Sequence, residues 1–145
     1  MREQLPNLQA MTAFGQRIAA VLQPGDVVGL TGGLGAGKTT LARAILAAGG
    51  HVGEVPSPTF TIVEMYDAVT PPIVHADFYR LERPEEVAEL GLGDYREGAA
   101  LLAEWPERAG GFSREAAYLG IALETVGEGR LAIVEAGPDW LDRLP

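Results

Sequence analysis

The sequence predicts an α/β fold: a mainly parallel sheet with flanking helices and a C-terminal antiparallel hairpin. Three observations carry this expectation. Short apolar, β-branched runs alternate with segments of helical spacing along most of the chain. One such run, residues 27–30, passes through the glycine-rich stretch "TGGLGAGK" directly into a helical segment. Late in the chain, "YLGIALETV" and "RLAIVEAG" are separated only by "GEG", the signature of a hairpin.

Taken in order, residues 8–26 read as an amphipathic helix. Phe14, Ile18, Val21 and Leu22 recur at helical spacing, and Pro24-Gly25 ends the run. Residues 27–30, "VVGL", read as a buried strand. Beyond the glycine loop, "TTLARAILAAGG" puts Leu41 and Ile45 on one helical face and stops at a glycine pair. "TFTIVEMY" (59–66) follows the rigid "PSP" and has high β-propensity. "IVHAD" (73–77) is a further strand, entered through Pro71-Pro72. Residues 83–95 predict a helix with Pro84 at its first position and Glu85 and Glu86 in its first turn. "ALLAEW" (100–105) is an apolar run that reaches a glutamate. There is no repeat, low-complexity tract or linker, and 145 residues fit one domain, 1–145.

Composition narrows the chemistry. With no cysteine, disulfides, thiol nucleophiles and cysteine-bound metals are excluded. His51 and His75 are the only histidines, which argues against a histidine zinc site. The N-terminus lacks the apolar core of a signal peptide, and no apolar run approaches the ~20 residues of a membrane span. A cytoplasmic protein without membrane attachment is expected. The formal charge of −9 argues against a broad grip on a nucleic-acid backbone. Lys38 is the only lysine, so it alone can supply a flexible ammonium.

Gly32, Gly37, Lys38 and Thr39 meet the pattern Gly-x-x-x-x-Gly-Lys-[Ser/Thr] between a strand and a helix, which makes the expected fold P-loop NTPase-like. Glycines let backbone approach phosphate closely, and successive N–H groups then form a concave anion site at a positive helix end. In this reading Gly32, Leu34, Gly35, Ala36, Gly37, Lys38, Thr39 and Thr40 hold the phosphates. Lys38 reaches the β and γ groups, and the Thr39 hydroxyl faces Mg²⁺.

Such a loop needs an acid at the end of a neighbouring strand. Asp77 closes "IVHAD" and Glu104 closes "LLAE", so both are candidates for holding Mg²⁺ or positioning the attacking water. A solvated acid at a strand exit is the alternative. Three further features are candidates with plain structural readings beside them. "PSPTFT" can bring Ser57 and Thr59 to a γ-phosphate from a switch-like loop, or serve as an ordinary proline turn. In "HADFYRL", alternation puts His75, Asp77 and Tyr79 on one side if the chain is extended, while His75 also fits a core histidine. Arg80 can stabilise phosphate charge or pair with Glu82 or Glu85. Trp105 can stack on a base or a partner, or sit in the core.

The blocks "GLGAGKTTLARAIL", "SPTFTIVEMY", "HADFYRLERPEEVAELGLGDY" and "LLAEWPE" together resemble the TsaE-type ATPases of bacteria, also called YjeE. They stand in that family's order and cover most of residues 27–107; after about residue 108 the resemblance is loose. The loop alone is common to many proteins, whereas its combination with "SPTFT", "HxDxYRL" and "EWP" is specific. The resemblance implies weak intrinsic ATPase activity and a role in the N6-threonylcarbamoyl modification of adenosine 37 in tRNA. It also implies partnership with the proteins TsaB and TsaD, with tRNA met through that complex. By the same resemblance Thr39 and Glu104 stand at the magnesium positions and Asp77 at the catalytic acid near the metal. Lys38 serves the phosphates and catalysis, Thr59 lies in the switch-like segment, and Trp105 stands near the nucleotide. Two positions depart from the family: Gly33 replaces a usual aspartate, and Met11 replaces a threonine common in the N-terminal helix region.

Two other functions use the same loop. A small-molecule or nucleoside kinase needs an arginine-bearing lid and a second substrate pocket, for which little chain remains. A nucleotide-sensing module without useful turnover predicts that the acids are dispensable. A guanine switch with an Asn-Lys-x-Asp reader is excluded, because Asn7 is the only asparagine and Lys38 the only lysine.

Overall fold

The computed structural model describes residues 1–56 and 62–145. Seven strands form one sheet in the order β1-β7-β6-β2-β5-β4-β3. In chain order these are β1 (Arg2–Leu5), β2 (Val27–Thr31), β3 (Val63–Tyr66), β4 (Ile73–Asp77), β5 (Ala100–Glu104), β6 (Tyr118–Val126) and β7 (Gly129–Ala136). The four inner strands β6-β2-β5-β4 run parallel. Antiparallel pairing closes both flanks, with β7 and β1 on one side and β3 on the other.

Two helices, α1 (Leu8–Val21) and α2 (Lys38–Ala48), pack on each other over one face of this sheet. Their apolar stripes bury Met11, Phe14 and Ile18 from α1 and Leu41, Ile45 and Leu46 from α2. These side chains meet Val28, Leu30, Leu102 and Ile121 in one core cluster. The intervening strand residues Val27, Val74, Ala76, Leu101 and Ala103 point to the opposite face, where Phe78, Leu81 and Leu92 cover them. Strand alternation thus divides each inner strand between two cores, which is why these strands read as continuous apolar runs.

Local chemistry accounts for where the elements end. Asn7 caps α1 by accepting the Ala10 N–H at 2.9 Å, and Leu22 already has extended backbone, so the helix is shorter than the predicted 8–26. The helix predicted over 83–95 is instead a 3₁₀ turn, Pro84–Leu90, followed by the short α3 (Leu92–Arg96). Gly91, at φ +67°, is the break between them. The predicted hairpin is present as β6 and β7, with Val126 opposite Gly129 across a two-residue turn. The predicted strand over 59–66 is described from Val63 onward, as β3. β1 was not foreseen: four residues, half of them charged, carry no readable period.

The C-terminus is fastened at the far end of the sheet from the glycine loop. Trp140 is fully buried and its indole N–H donates to the Ala117 carbonyl at 2.8 Å. Arg143 forks onto both oxygens of buried Asp26, at 2.6 and 2.7 Å. No helix among the described residues is long and apolar enough to cross a membrane.

Candidate functional site

Strand β2 delivers the chain into the glycine loop at its C-terminal end, and the loop turns back into α2. Two glycines have a stated physical need. Gly32 has φ +137°, and a Cβ there would lie 2.5 Å from the Leu123 carbonyl oxygen. Gly37, at φ +105°, is the N-cap of α2 and brings no side chain to the N–H groups of the first turn. The helix therefore opens towards the loop with its positive end uncapped.

The only lysine folds over this loop. Lys38 Nζ donates to the carbonyls of Gly32 and Gly33, each at 2.8 Å, and lies 4.7 Å from the centre of the Trp105 ring. Burial pulls its ammonium below the usual lysine range, and the charges of Glu104, Asp77 and Glu107 oppose that shift. Trp105 owes its position to a left-handed backbone at φ +55°, immediately after β5. Its ring also packs against Tyr79, with centroids 4.9 Å apart. Trp105 is thus half-buried beside the loop rather than a core residue.

Both predicted acids arrive at the same place. Asp77 ends β4, Glu104 ends β5, and the two are direct partners in the parallel register. The Thr39 hydroxyl donates to Glu104 Oε1 at 2.8 Å, and His75 Nε2 lies 2.6 Å from Glu104 Oε2. Glu104 is 2% exposed and His75 fully buried. Asp77 Oδ1 accepts the Tyr79 N–H at 2.9 Å. His75 is therefore in the core, as its apolar strand suggests, and also touches the acid of the site. Tyr79 lies beyond the end of β4, so its place comes from this turn and its ring contact, not from strand alternation.

Together these side chains line a cleft of about 360 Å³, between Leu34, Gly35 and Gly37 on one side and Asp77, Tyr79, Glu104 and Trp105 on the other. Leu34 stands 76% exposed at the loop's tip. Gly32 and Ala36 shape the loop beneath. Lys38, Thr39, Thr40 and Arg130 also border the cleft. Gly37, Thr40 and Arg130 in turn border a second cleft of about 200 Å³, which Asn7, Leu8 and Met11 from the start of α1 help to line. Thr59 and Ser57 lie outside the described residues. A larger concavity, about 750 Å³, sits at the opposite end of the sheet around Asp26 and Arg143, and no sequence-predicted site residue borders it.

The oxygens of Thr39, Glu104 and Asp77 suit a hard divalent cation. Thr39 gives its proton to Glu104 and keeps its lone pairs available. Among the described residues no group of three or more His, Cys, Asp or Glu forms a metal cage. A cation at this site would need phosphate or water oxygens to complete its shell.

Arg130 was not foreseen. It lies on β7, yet its Nε donates to the Ala36 carbonyl at 2.9 Å and its Nη2 to the Gly35 carbonyl at 3.1 Å. Only the pairing of β7 through β6 to β2 brings it there, and "GEGRLA" carries no motif that announces it.

Comparison with known proteins identifies the family and the fold. The family model described as "Threonylcarbamoyl adenosine biosynthesis protein TsaE" matches residues 5–132. The chain is 40% identical over 125 residues to a tRNA threonylcarbamoyladenosine biosynthesis protein TsaE from Haemophilus influenzae, covering 82% of this chain and 79% of that one. It is 41% identical over 109 residues to the protein of the same name from Synechocystis, covering 72% and 69%. The crystal structure of YdiB from Bacillus subtilis superposes with a TM-score of 0.78 at 29% identity, over 99% of this chain and 90% of that one.

Proposed function

The chain belongs to the TsaE family of threonylcarbamoyl adenosine biosynthesis proteins, and we propose that within that pathway it binds and slowly hydrolyses ATP with Mg²⁺ in the cleft at the glycine loop. The observation that carries the proposal is one convergence. An uncapped helix end, the only lysine, a threonine hydroxyl and two strand-terminal acids all border a single cleft.

In this reading the loop N–H groups and the first turn of α2 receive the phosphates. Lys38 exchanges the carbonyls of Gly32 and Gly33 for β- and γ-phosphate oxygens, a trade of neutral acceptors for charged ones. The second cleft, which shares Gly37, Thr40 and Arg130 with the first, receives the nucleoside. Thr39, with Glu104 and Asp77 beside it, would hold Mg²⁺, which would supply positive charge to the phosphates. Asp77 orients the attacking water and takes up its proton. The water oxygen bonds to the γ-phosphorus as the bond to the β–γ bridging oxygen breaks, which leaves ADP and inorganic phosphate. Glu104, tied to Thr39 and His75, keeps the hydroxyl and acid in register.

The acidic chain is suited to protein partners more than to direct tRNA binding. We therefore assign the ATP cycle to a cytoplasmic complex with TsaB and TsaD. The test is reconstitution of tRNA threonylcarbamoylation from purified TsaB and TsaD with and without this chain. Multi-turnover product that depends on the chain is expected; equal product in both reactions would overturn the assignment.

A further inference from the structure

We propose that Arg130 is a positioning residue for the phosphate-binding loop: from outside the loop it holds the carbonyls that must point away if the N–H groups are to point in. The inference rests on the triphosphate reading of the cleft and adds a residue to it.

A loop that offers successive N–H groups to an anion must turn the matching carbonyls outward. Outward carbonyls need partners of their own. Two cations supply them. Lys38 takes Gly32 and Gly33, at 2.8 Å each. Arg130 takes Gly35 and Ala36, at 3.1 and 2.9 Å. The two clamps differ in what a nucleotide does to them. Lys38 sits where phosphate oxygens compete for its ammonium, so its clamp opens on binding. Arg130 grips a later pair of loop carbonyls, Gly35 and Ala36, through a planar fork, so its clamp stays closed.

The fork is itself fixed. Nη1 donates to the Gly129 carbonyl at 2.9 Å, and the backbone of Arg130 is paired with Leu5 of β1 on one side and Thr125 of β6 on the other. A guanidinium so anchored can bridge two adjacent carbonyls and a third on its own strand; a lysine ammonium, a compact point charge, does not reproduce that fork. It also polarises the Gly35–Ala36 and Ala36–Gly37 peptide groups, and the Ala36 N–H of the first donates to the Gly33 carbonyl at 3.1 Å within the loop.

Arg130 holds loop carbonyls and also borders both clefts, so its removal should weaken ADP and ATP alike. Titration calorimetry with Mg²⁺-ADP and with a non-hydrolysable Mg²⁺-ATP analogue tests this in the full chain, wild type against Arg130→Met and Arg130→Lys. Arg130→Met keeps the aliphatic stem, and thermal unfolding checks that both variants are folded. Loss of two charge-assisted bonds predicts at least about tenfold weaker binding of both nucleotides in Arg130→Met. Arg130→Lys should recover little of it. Wild-type affinity in Arg130→Met, or full recovery in Arg130→Lys, would overturn the proposal.

A second measurement needs no nucleotide. Amide exchange at Gly35, Ala36 and Gly37 in the ligand-free chain should be faster in Arg130→Met than in wild type, with core amides unchanged. Equal loop exchange would also overturn it. Should the wild type bind no nucleotide, the triphosphate reading fails, and the exchange experiment still decides whether Arg130 holds the loop.

Discussion

His75 and Glu104 meet inside the sheet, Nε2 to Oε2 at 2.6 Å, although 29 residues separate them in sequence. The other oxygen of Glu104 accepts the Thr39 hydroxyl at 2.8 Å, so one carboxylate joins a buried histidine to the first turn of α2. The Nδ1 of His75 has no hydrogen-bond partner among the described residues. An Nε2–H donated to Glu104 leaves a bare lone pair at Nδ1 rather than an orphaned N–H, and so fits this environment better than the other tautomer.

This pairing predicts how substitutions at His75 divide. Glutamine can present an N–H near the position of Nε2, whereas leucine leaves Glu104 without that donor. Supporting contacts to a cation site are typically worth about 10–100-fold in affinity or activity. His75→Leu should therefore raise the Mg²⁺ concentration needed for half-maximal ATP hydrolysis by about that factor, and His75→Gln should stay near wild type. Mg²⁺ titrations of phosphate release in the two variants decide it; equal profiles would remove His75 from the site.

Trp105 lies 4.7 Å from the Lys38 ammonium, so movement of Lys38 onto phosphate alters the environment of the indole. Adding Mg²⁺-ADP should change the fluorescence of the wild type. The change should vanish in Trp105→Phe, although buried Trp140 remains. In Lys38→Ala the nucleotide concentration needed should rise at least about 100-fold, the consequence of losing charge-assisted bonds to phosphate in a buried site. A Trp105→Phe response equal to that of the wild type would place the reporter elsewhere.

Arg143 and Asp26 form the fastening at the opposite end of the sheet, with side chains 13% and 2% exposed. Arg143→Ala leaves the Asp26 charge buried without its fork and should destabilise the fold by about 2–4 kcal/mol, read from urea unfolding. The double change Asp26→Asn, Arg143→Met should restore part of that loss. Nucleotide affinity should be unchanged in both, because the fastening is remote from the loop.

The resemblance read from the sequence implies an aspartate at the position of Gly33, and the structure shows the space around it. A Cβ there meets nothing within 4 Å, and its φ is outside the left-handed region. Glycine is therefore not a steric requirement at this position. Gly33→Asp should fold normally and gain about 0.4–1 kcal/mol of stability from its stiffer unfolded chain. Urea unfolding checks it, and a loss beyond 1 kcal/mol would contradict the open geometry.

Legibility in the sequence follows a physical line. The loop was readable because it is built from consecutive residues. Asp77 and Glu104 were readable because parallel strands end on one side of a sheet, and the register Asp77 opposite Glu104 is that rule in operation. Arg130 was not, since it reaches the loop from 94 residues away through one antiparallel and one parallel strand pairing that no local pattern encodes. The His75–Glu104 contact was hidden for the same reason: alternation gives a face but not the partner across it. β1 and the division of residues 84–96 at Gly91 escaped because both elements are short enough for tertiary contacts to override propensity.

The most direct test of the account is release of inorganic phosphate from Mg²⁺-ATP by the purified chain, wild type against Asp77→Asn, with nucleotide binding measured in parallel. The account predicts slow, EDTA-sensitive release by the wild type. It predicts a fall of about 10²–10³-fold in Asp77→Asn, the scale of losing a group that positions and deprotonates water, with ADP affinity within about threefold of wild type. Equal release by both proteins, or saturable ATP binding by the wild type with no release, would contradict it.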